Sequence, residues 1–262
     1  MRILIVLLLT LLVCFSANSQ ILKKQIPNNL VVLTFDDATE SQYSVVAPLL
    51  KQYGFGATFF VCEFPTKSTG KSAYMNWQQI QQLDNMGFEV ANHTRTHVAV
   101  SKVSKAKFIE ELNYIEAKCD SMGIEKPKNF AYPGYDLSLP VMEILNEKEY
   151  KFARAGGSRA YDPITDYPLL VPSWAMTGSN KEQIMASFNE AHSGRIVVLT
   201  IHGVPDVEHP WVNTPPELFK EYLKYLSEHH FKVISLRDLN SYINLSEAIK
   251  TIIPDMKKEL KN

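Results

Sequence analysis

Short apolar runs alternate along the chain with stretches whose apolar residues recur every three or four positions. The runs at 30–35, 56–61, 87–91, 128–132, 150–154, 195–202 and 231–235 are rich in β-branched and aromatic residues and predict strands. Between them, the longer period predicts helices at about 40–53, 75–86, 104–122, 138–148, 180–192, 215–229 and 236–244. Gly54, Gly87 and Gly123 follow helical patterns where a left-handed C-cap is wanted, and Thr214 before Pro215 and Pro216 marks a helix entry. Such alternation implies right-handed crossovers and a parallel sheet, closed as a barrel or left open. Seven strands rather than eight point to an irregular barrel.

The first residues stand apart from this pattern. Arg2, the apolar stretch Ile3 to Phe15 and then Ser16-Ala17-Asn18-Ser19 read as a signal peptide, so residues 1–19 are expected to be removed. An uncleaved membrane anchor is the alternative, but the apolar run is short for a bilayer span. Export would place the protein in the periplasm or outside the cell. What remains, residues 20–262, suits one domain with a core of about 28–244 and a tail from 245 to 262. With 27 basic and 28 acidic residues in the whole chain, no field draws it to nucleic acid, and a neutral or polar partner fits better. Cys62 and Cys119 are too few for a disulfide framework and form either one bridge or two buried thiols.

Polar residues close three of the predicted strands. Asp36 and Asp37 follow Val31 to Phe35, His93 and His97 follow Phe88 to Ala91, and His202 follows Ile196 to Ile201. If the strands are parallel, all five reach one end of the sheet, where α/β proteins carry their chemistry. One carboxylate and two imidazoles can hold a divalent metal, with an aspartate and a histidine left for proton transfer. The histidine spacing alone also suits a solvated helix face. Asn92-His93-Thr94-Arg95-Thr96-His97 is poor helix interior, however, and a loop at the strand end fits it better. Two adjacent aspartates repel one another unless a cation lies beside them, although an Asp-Asp turn or helix cap would account for one of the pair.

Thr34-Phe35-Asp36-Asp37, His93-Thr94-x-x-His97 and Leu199-Thr200-Ile201-His202 resemble the motifs of the polysaccharide deacetylases, the NodB-homology or carbohydrate esterase family 4 enzymes. The resemblance runs from about residue 28 to 240. It implies a distorted (β/α) barrel holding a divalent ion, zinc first among candidates, and removing acetyl groups from N-acetylated, sometimes O-acetylated, polysaccharides. It makes Asp36 the general base, Asp37, His93 and His97 the metal ligands, and His202 the general acid. Thr94 stands where a small hydroxyl residue steadies the loop. Ala131-Tyr132-Pro133-Gly134-Tyr135 matches the family's Arg-Pro-Pro-Tyr-Gly-like segment and points to the N–H of Gly134 or Tyr135 as oxyanion donor.

This chain departs from the family pattern in three places. Ala131 replaces the arginine that pairs with the base, and Arg154, at the end of a neighbouring strand, is the candidate to supply that charge, a surface arginine being the alternative. Gly203 follows His202 where an aspartate is usual. No clean Asp-x-Trp segment is present, so Trp174 is a candidate for the acetyl or sugar pocket, with a core role as the default. Trp211, in a proline-rich loop, is read as either a sugar-stacking residue or a loop anchor, and His192, His209, His229 and His230 as surface residues. Asn92-His93-Thr94 and Asn244-Leu245-Ser246 match the glycosylation sequon, and a glycan on Asn92 would obstruct the metal ligands. An impaired carbohydrate-binding relative and a non-haem iron oxygenase are the competing readings.

Overall fold

The computed structural model describes residues 21–64 and 73–259, so the proposed signal peptide lies outside the described residues. Eight strands form one parallel sheet: β1 (Leu30–Phe35), β2 (Thr58–Val61), β3 (Glu89–Asn92), β4 (Asn129–Ala131), β5 (Phe152–Gly157), β6 (Val171–Ala175), β7 (Val197–Ile201) and β8 (Lys232–Ile234). Strands β1 to β7 close a seven-stranded barrel, because β7 pairs with β1 and β1 also pairs with β2. Strand β8 lies beside the lower half of β1, with Val31 opposite Val233. The count of seven is right, yet its membership differs from the sequence expectation: 231–235 lies outside the closed ring, and β6 takes its place. Pro172 and Ser173 interrupt the apolar pattern of β6, and a proline ordinarily argues against a strand interior.

Helices cover the outside: α1 (Ala47–Tyr53), α2 (Trp77–Asn85), α3 (Lys105–Ser121), α4 (Leu139–Glu147), α5 (Lys181–Ser187), α6 (Pro216–Glu228) and α7 (Leu245–Thr251). The helix expected over 236–244 is a 3₁₀ turn, Leu236–Ser241, closed by a capping box in which Ser235 and Asp238 bond reciprocally. Gly87 adopts φ +92 after α2, which lets the chain reverse straight into β3. Among the described residues, no helix is long and apolar enough to cross a membrane.

The period of two in each strand determines what the barrel encloses. Leu30, Val32, Phe60, Ala91, Ala131, Phe152, Val171, Ile196 and Val198 pack together inside, while Val31, Leu33, Phe35, Phe59 and Leu199 pack against the helices. Extending the inner set upward by two residues per step gives Thr34 on β1 and Asp36 just beyond it, His93 beyond β3, Arg154 on β5, Ser173 on β6, and Thr200 on β7 with His202 just beyond it. The apolar alternation of the strands thus aims the polar residues at the upper end.

The chain's last described segment is tied to that rim. Arg159, just past β5, is paired with both Asp166 and Glu259, and Glu259 is buried. Burial, opposed only in part by a guanidinium shared with Asp166, pushes the Glu259 carboxyl from 4.5 up to about 7. The folded chain therefore takes up a proton there, so stability present at low pH is lost as pH rises through about 7. Glu259→Gln is expected to flatten the dependence of the melting temperature on pH across that interval. A slope equal to that of the unmutated protein would contradict this.

Candidate active site

At the upper end of the barrel, Asp37, His93 and His97 each offer a ligand atom, and these atoms lie within 4.8 Å of one another. The two imidazole Nε2 atoms are each 3.5 Å from Asp37 Oδ1. His93 Nδ1 is 2.9 Å from the carbonyl oxygen of Ala131. A carbonyl only accepts, so Nδ1 carries the proton and the Nε2 lone pair faces the cleft. That tautomer, an anionic oxygen and a second imidazole suit a divalent cation. Burial alone would raise the Asp37 carboxyl, but the same imidazoles, when protonated instead of ligating a cation, outweigh it through the His93 hydrogen bond and the charges of His93, His202 and His97 and hold it well below the ordinary carboxylate range. Burial and the neighbouring His93 lower His97, which favours its neutral, ligating form.

Backbone geometry sets this cluster. Asp37 and Ala38 (φ +71 and +53), Thr94 and His97 (φ +62 and +52) and Tyr135 (φ +56) account for five of the ten non-glycine residues with positive φ among the described residues. Each costs roughly 1–3 kcal/mol, and such strain collects where surrounding structure must impose a functional geometry. Here the surroundings are identifiable. Asn92 is fully buried, donates to Leu112 O and Tyr150 Oη, and accepts from the Thr94 N–H. It has no exposed amide to carry a glycan, so the sequon is no obstacle to the site. Thr94 Oγ1 accepts from the Val98 N–H at 3.3 Å and closes the loop that carries His97.

Glu111, buried on α3, holds the same loop from below, accepting from the Thr96 N–H at 2.7 Å and from the Thr96 hydroxyl. The sequence shows Glu111 only as one acid on an amphipathic helix. Glu111→Ala is expected to loosen His97 and weaken metal affinity about tenfold, the lower end of what a lost ligand-orienting contact costs. A zinc titration gives that value, and an unchanged affinity would contradict the assignment.

Asp36 sits behind the cluster. Arg154 is wholly buried, and its Nη2 donates to Asp36 Oδ2. Ala131 and Arg154 are register partners on β4 and β5, so the guanidinium reaches across from the strand next to the one where the arginine was expected. Asp36 Oδ1 has no hydrogen-bond partner among the described residues, which leaves it available to accept a proton. Gln42, which the sequence gave no reason to single out, donates to the backbone carbonyls of Asp36 and, at 3.4 Å, of His202, tying the tops of β1 and β7 together. His202 Nε2 lies 3.8 Å from Asp37 Oδ2.

The segment after β4 resolves in detail. Pro133–Tyr135 is a 3₁₀ turn whose Tyr135 N–H is spent on Tyr132 O at 3.1 Å, while the Gly134 N–H has no backbone partner among the described residues and Gly134 lines the cleft. Pro133 is the buried residue of that turn. Tyr135 turns its ring inward beside Arg154 and onto Gly156, where an added Cβ would lie 3.1 Å from that ring. Two expected substrate residues turn their side chains elsewhere. Tyr132 stands in the cleft lining but sends its hydroxyl outward to donate to Leu169 O, and Trp174 is on the face of β6 opposite the inward Ser173, packed against the helix-side core. In both cases the strand period places the side chain on the wrong face. Gly203 also has a physical reason: Asp206 curls back over it so closely that a Cβ would lie 2.5 Å from Asp206 Cα. Cys62 and Cys119 are free, buried thiols, and Cys62 Sγ lies 4.0 Å from Asp37 Oδ1.

A family model described as Polysaccharide deacetylase matches residues 23–153. The chain belongs to the polysaccharide deacetylase family. The matched span contains Asp36, Asp37, His93 and His97, and stops one residue short of Arg154. Another family member, the peptidoglycan-N-acetylglucosamine deacetylase of Bacillus cereus, is 28% identical over 130 residues, 48% of this chain and 57% of that protein. The match thus spans little more than half of the relative's length. The crystal structure of the Bc1960 peptidoglycan N-acetylglucosamine deacetylase has a TM-score of 0.60 at 17% identity, covering 81% of this chain and 88% of that one. BA3943 of Bacillus anthracis, a CE4 family pseudoenzyme, has a TM-score of 0.56 at 17% identity over 82% of this chain and 66% of its own. These likenesses speak for the family's seven-stranded barrel, and BA3943 is a reminder that the barrel alone does not ensure catalysis.

Proposed function

We propose that this family member is a metal-dependent hydrolase that removes acetyl groups from an N-acetylated, or O-acetylated, extracellular or cell-wall polysaccharide. What supports the reading above all is the convergence of Asp37, His93 and His97 on one point with Asp36 behind it and His202 beside it. Asp37, His93 and His97 would hold a divalent ion, zinc by its preference for this donor set. When bound, the ion supplies Lewis-acid activation of water and of the acetyl carbonyl. Asp36 takes the proton of the attacking water at Oδ1 while Arg154 holds the carboxylate in place. The Gly134 N–H donates to the oxygen that gains charge as the carbonyl is attacked. His202 delivers a proton to the departing amine or alcohol, which an amine in particular needs.

On this reading residues 1–19 direct export, residues 20–262 form the working domain, and the partner is an acetylated glycan outside the cytoplasm. The competing reading, an impaired carbohydrate-binding relative, drew on Ala131; the contact from Arg154 to Asp36 supports the hydrolase reading over it. Acetate release from N-acetylchitooligosaccharides, peptidoglycan and acetylated xylan, with zinc added and then chelated, tests the proposal. Release that chelation abolishes is expected. Absence of release from all three, or release indifferent to chelation, would overturn it.

A further inference from the structure

A row of rings climbs from the reaction centre to the surface. Phe64 lies 5.6 Å, centroid to centroid, from His97, His209 lies 5.9 Å from Phe64, and Trp211 lies 5.4 Å from His209. Phe64, His209 and Trp211 line the same cleft as Asp36, His97 and His202, a cavity of about 280 Å³. Trp211 is 71% exposed, and it is the sole aromatic among the large hydrophobic side chains that the described residues leave open to solvent. Its loop is nonetheless firmly held. Asp206 accepts from the N–H groups of Gly203 and His209 at 3.1 and 2.8 Å and donates its own N–H to Asn213 Oδ1 at 2.8 Å, while the Thr214 N–H returns to Gly203 O. An exposed indole on a pinned loop, continuous with the cleft, presents a flat apolar face in a fixed position.

We propose that Trp211, with His209 and Phe64 behind it, forms a subsite for an uncharged pyranose ring neighbouring the acetylated sugar. This rests on the deacetylase reading and extends it to substrate class. A pyranose offers an apolar C–H face to an aromatic ring and hydroxyls to the imidazole beside it. Three ring-to-ring steps separate Trp211 from His97, which places the indole beyond the acetylated residue itself. Among the described residues the cleft wall holds no Lys or Arg to pair with a carboxylate, so a uronate beside Trp211 would lose hydration there without gaining a counter-charge.

Binding is measured by calorimetry in an Asp36→Asn background, where the ligand persists, using N-acetylchitotetraose, acetylated xylotetraose and acetylated tetragalacturonate. We expect one or both neutral tetramers to bind, the tighter naming the glycan, and the uronate to bind more weakly. Trp211→Ala should weaken the neutral tetramers at least tenfold, and Trp211→Phe, which keeps an aromatic face, by less than threefold. Neutral binding unchanged in Trp211→Ala, no neutral binding, or equal binding of the uronate would each overturn the subsite. Acetate release by the unmutated chain is scored separately. Trp211-dependent binding without release would sink the deacetylase reading alone, and release with Trp211-independent binding the subsite alone.

Discussion

Arg154→Leu is expected to cost about 3–5 kcal/mol of folding stability, the usual penalty for leaving a buried charge without its partner. Arg154 is the largest wholly buried side chain among the described residues, and the Asp36 carboxylate it meets is itself almost inaccessible. The variant should also lose most acetate release, because Asp36 no longer has a guanidinium to hold it in place. A second change makes the test specific. Ala131 stands beside Arg154 in register on β4, with its side chain also turned into the barrel. Ala131→Arg added to Arg154→Ala moves the guanidinium back to the strand on which the family resemblance expects it, and should recover a substantial part of both stability and rate. Urea unfolding and kcat/KM measure the two effects. Arg154→Leu within about 1 kcal/mol of the unmutated protein, below what any broken buried pair should cost, and with rate intact, would remove Arg154 from the account.

The adjacent aspartates are expected to fail in different ways. Asp36→Asn should retain one bound zinc while kcat falls by roughly 10²–10⁴, the range general-base catalysis supplies. Asp37→Asn should lose the zinc, and with it the activity, because an amide oxygen replaces the anionic ligand facing both imidazoles. Asp36→Asn also leaves Arg154 facing a neutral amide, so rates should be compared well below the variant's melting temperature. Metal content by elemental analysis beside single-turnover rates separates the two cases. Equal metal loss in both variants would contradict the division of roles.

Much of this site was legible from strand ends. Asp36, Asp37, His93 and His202 each follow an apolar run, and in a parallel barrel the ends of such runs share one rim. Asp36 and Arg154 were also recoverable as inward residues, because the period of two continues from Val32 and from Phe152. The same rule, applied to Tyr132 and Trp174, would have turned their side chains away from the cleft, since Ala131 and Ser173 occupy the inward positions beside them. Strand β6 was hidden by Pro172, whose missing N–H ordinarily disqualifies a strand interior. Glu111, Gln42 and Asp206 left no local signal: each acts on backbone groups of a loop far away in sequence or curled back upon itself, and neither periodicity nor composition records that. His209 was read as a surface residue, and its place in the ring row depends on how the 203–215 loop folds back over the rim.

The central claim is that one cation is held jointly by Asp37, His93 and His97. Anomalous scattering from crystals of the unmutated protein grown with zinc tests it most directly. The account predicts a single strong peak at roughly 2.0–2.2 Å from one oxygen of Asp37 and from an imidazole nitrogen of each histidine, absent from crystals of His93→Ala. A cation bound through other residues, or no peak at these three side chains at saturating zinc, would contradict it.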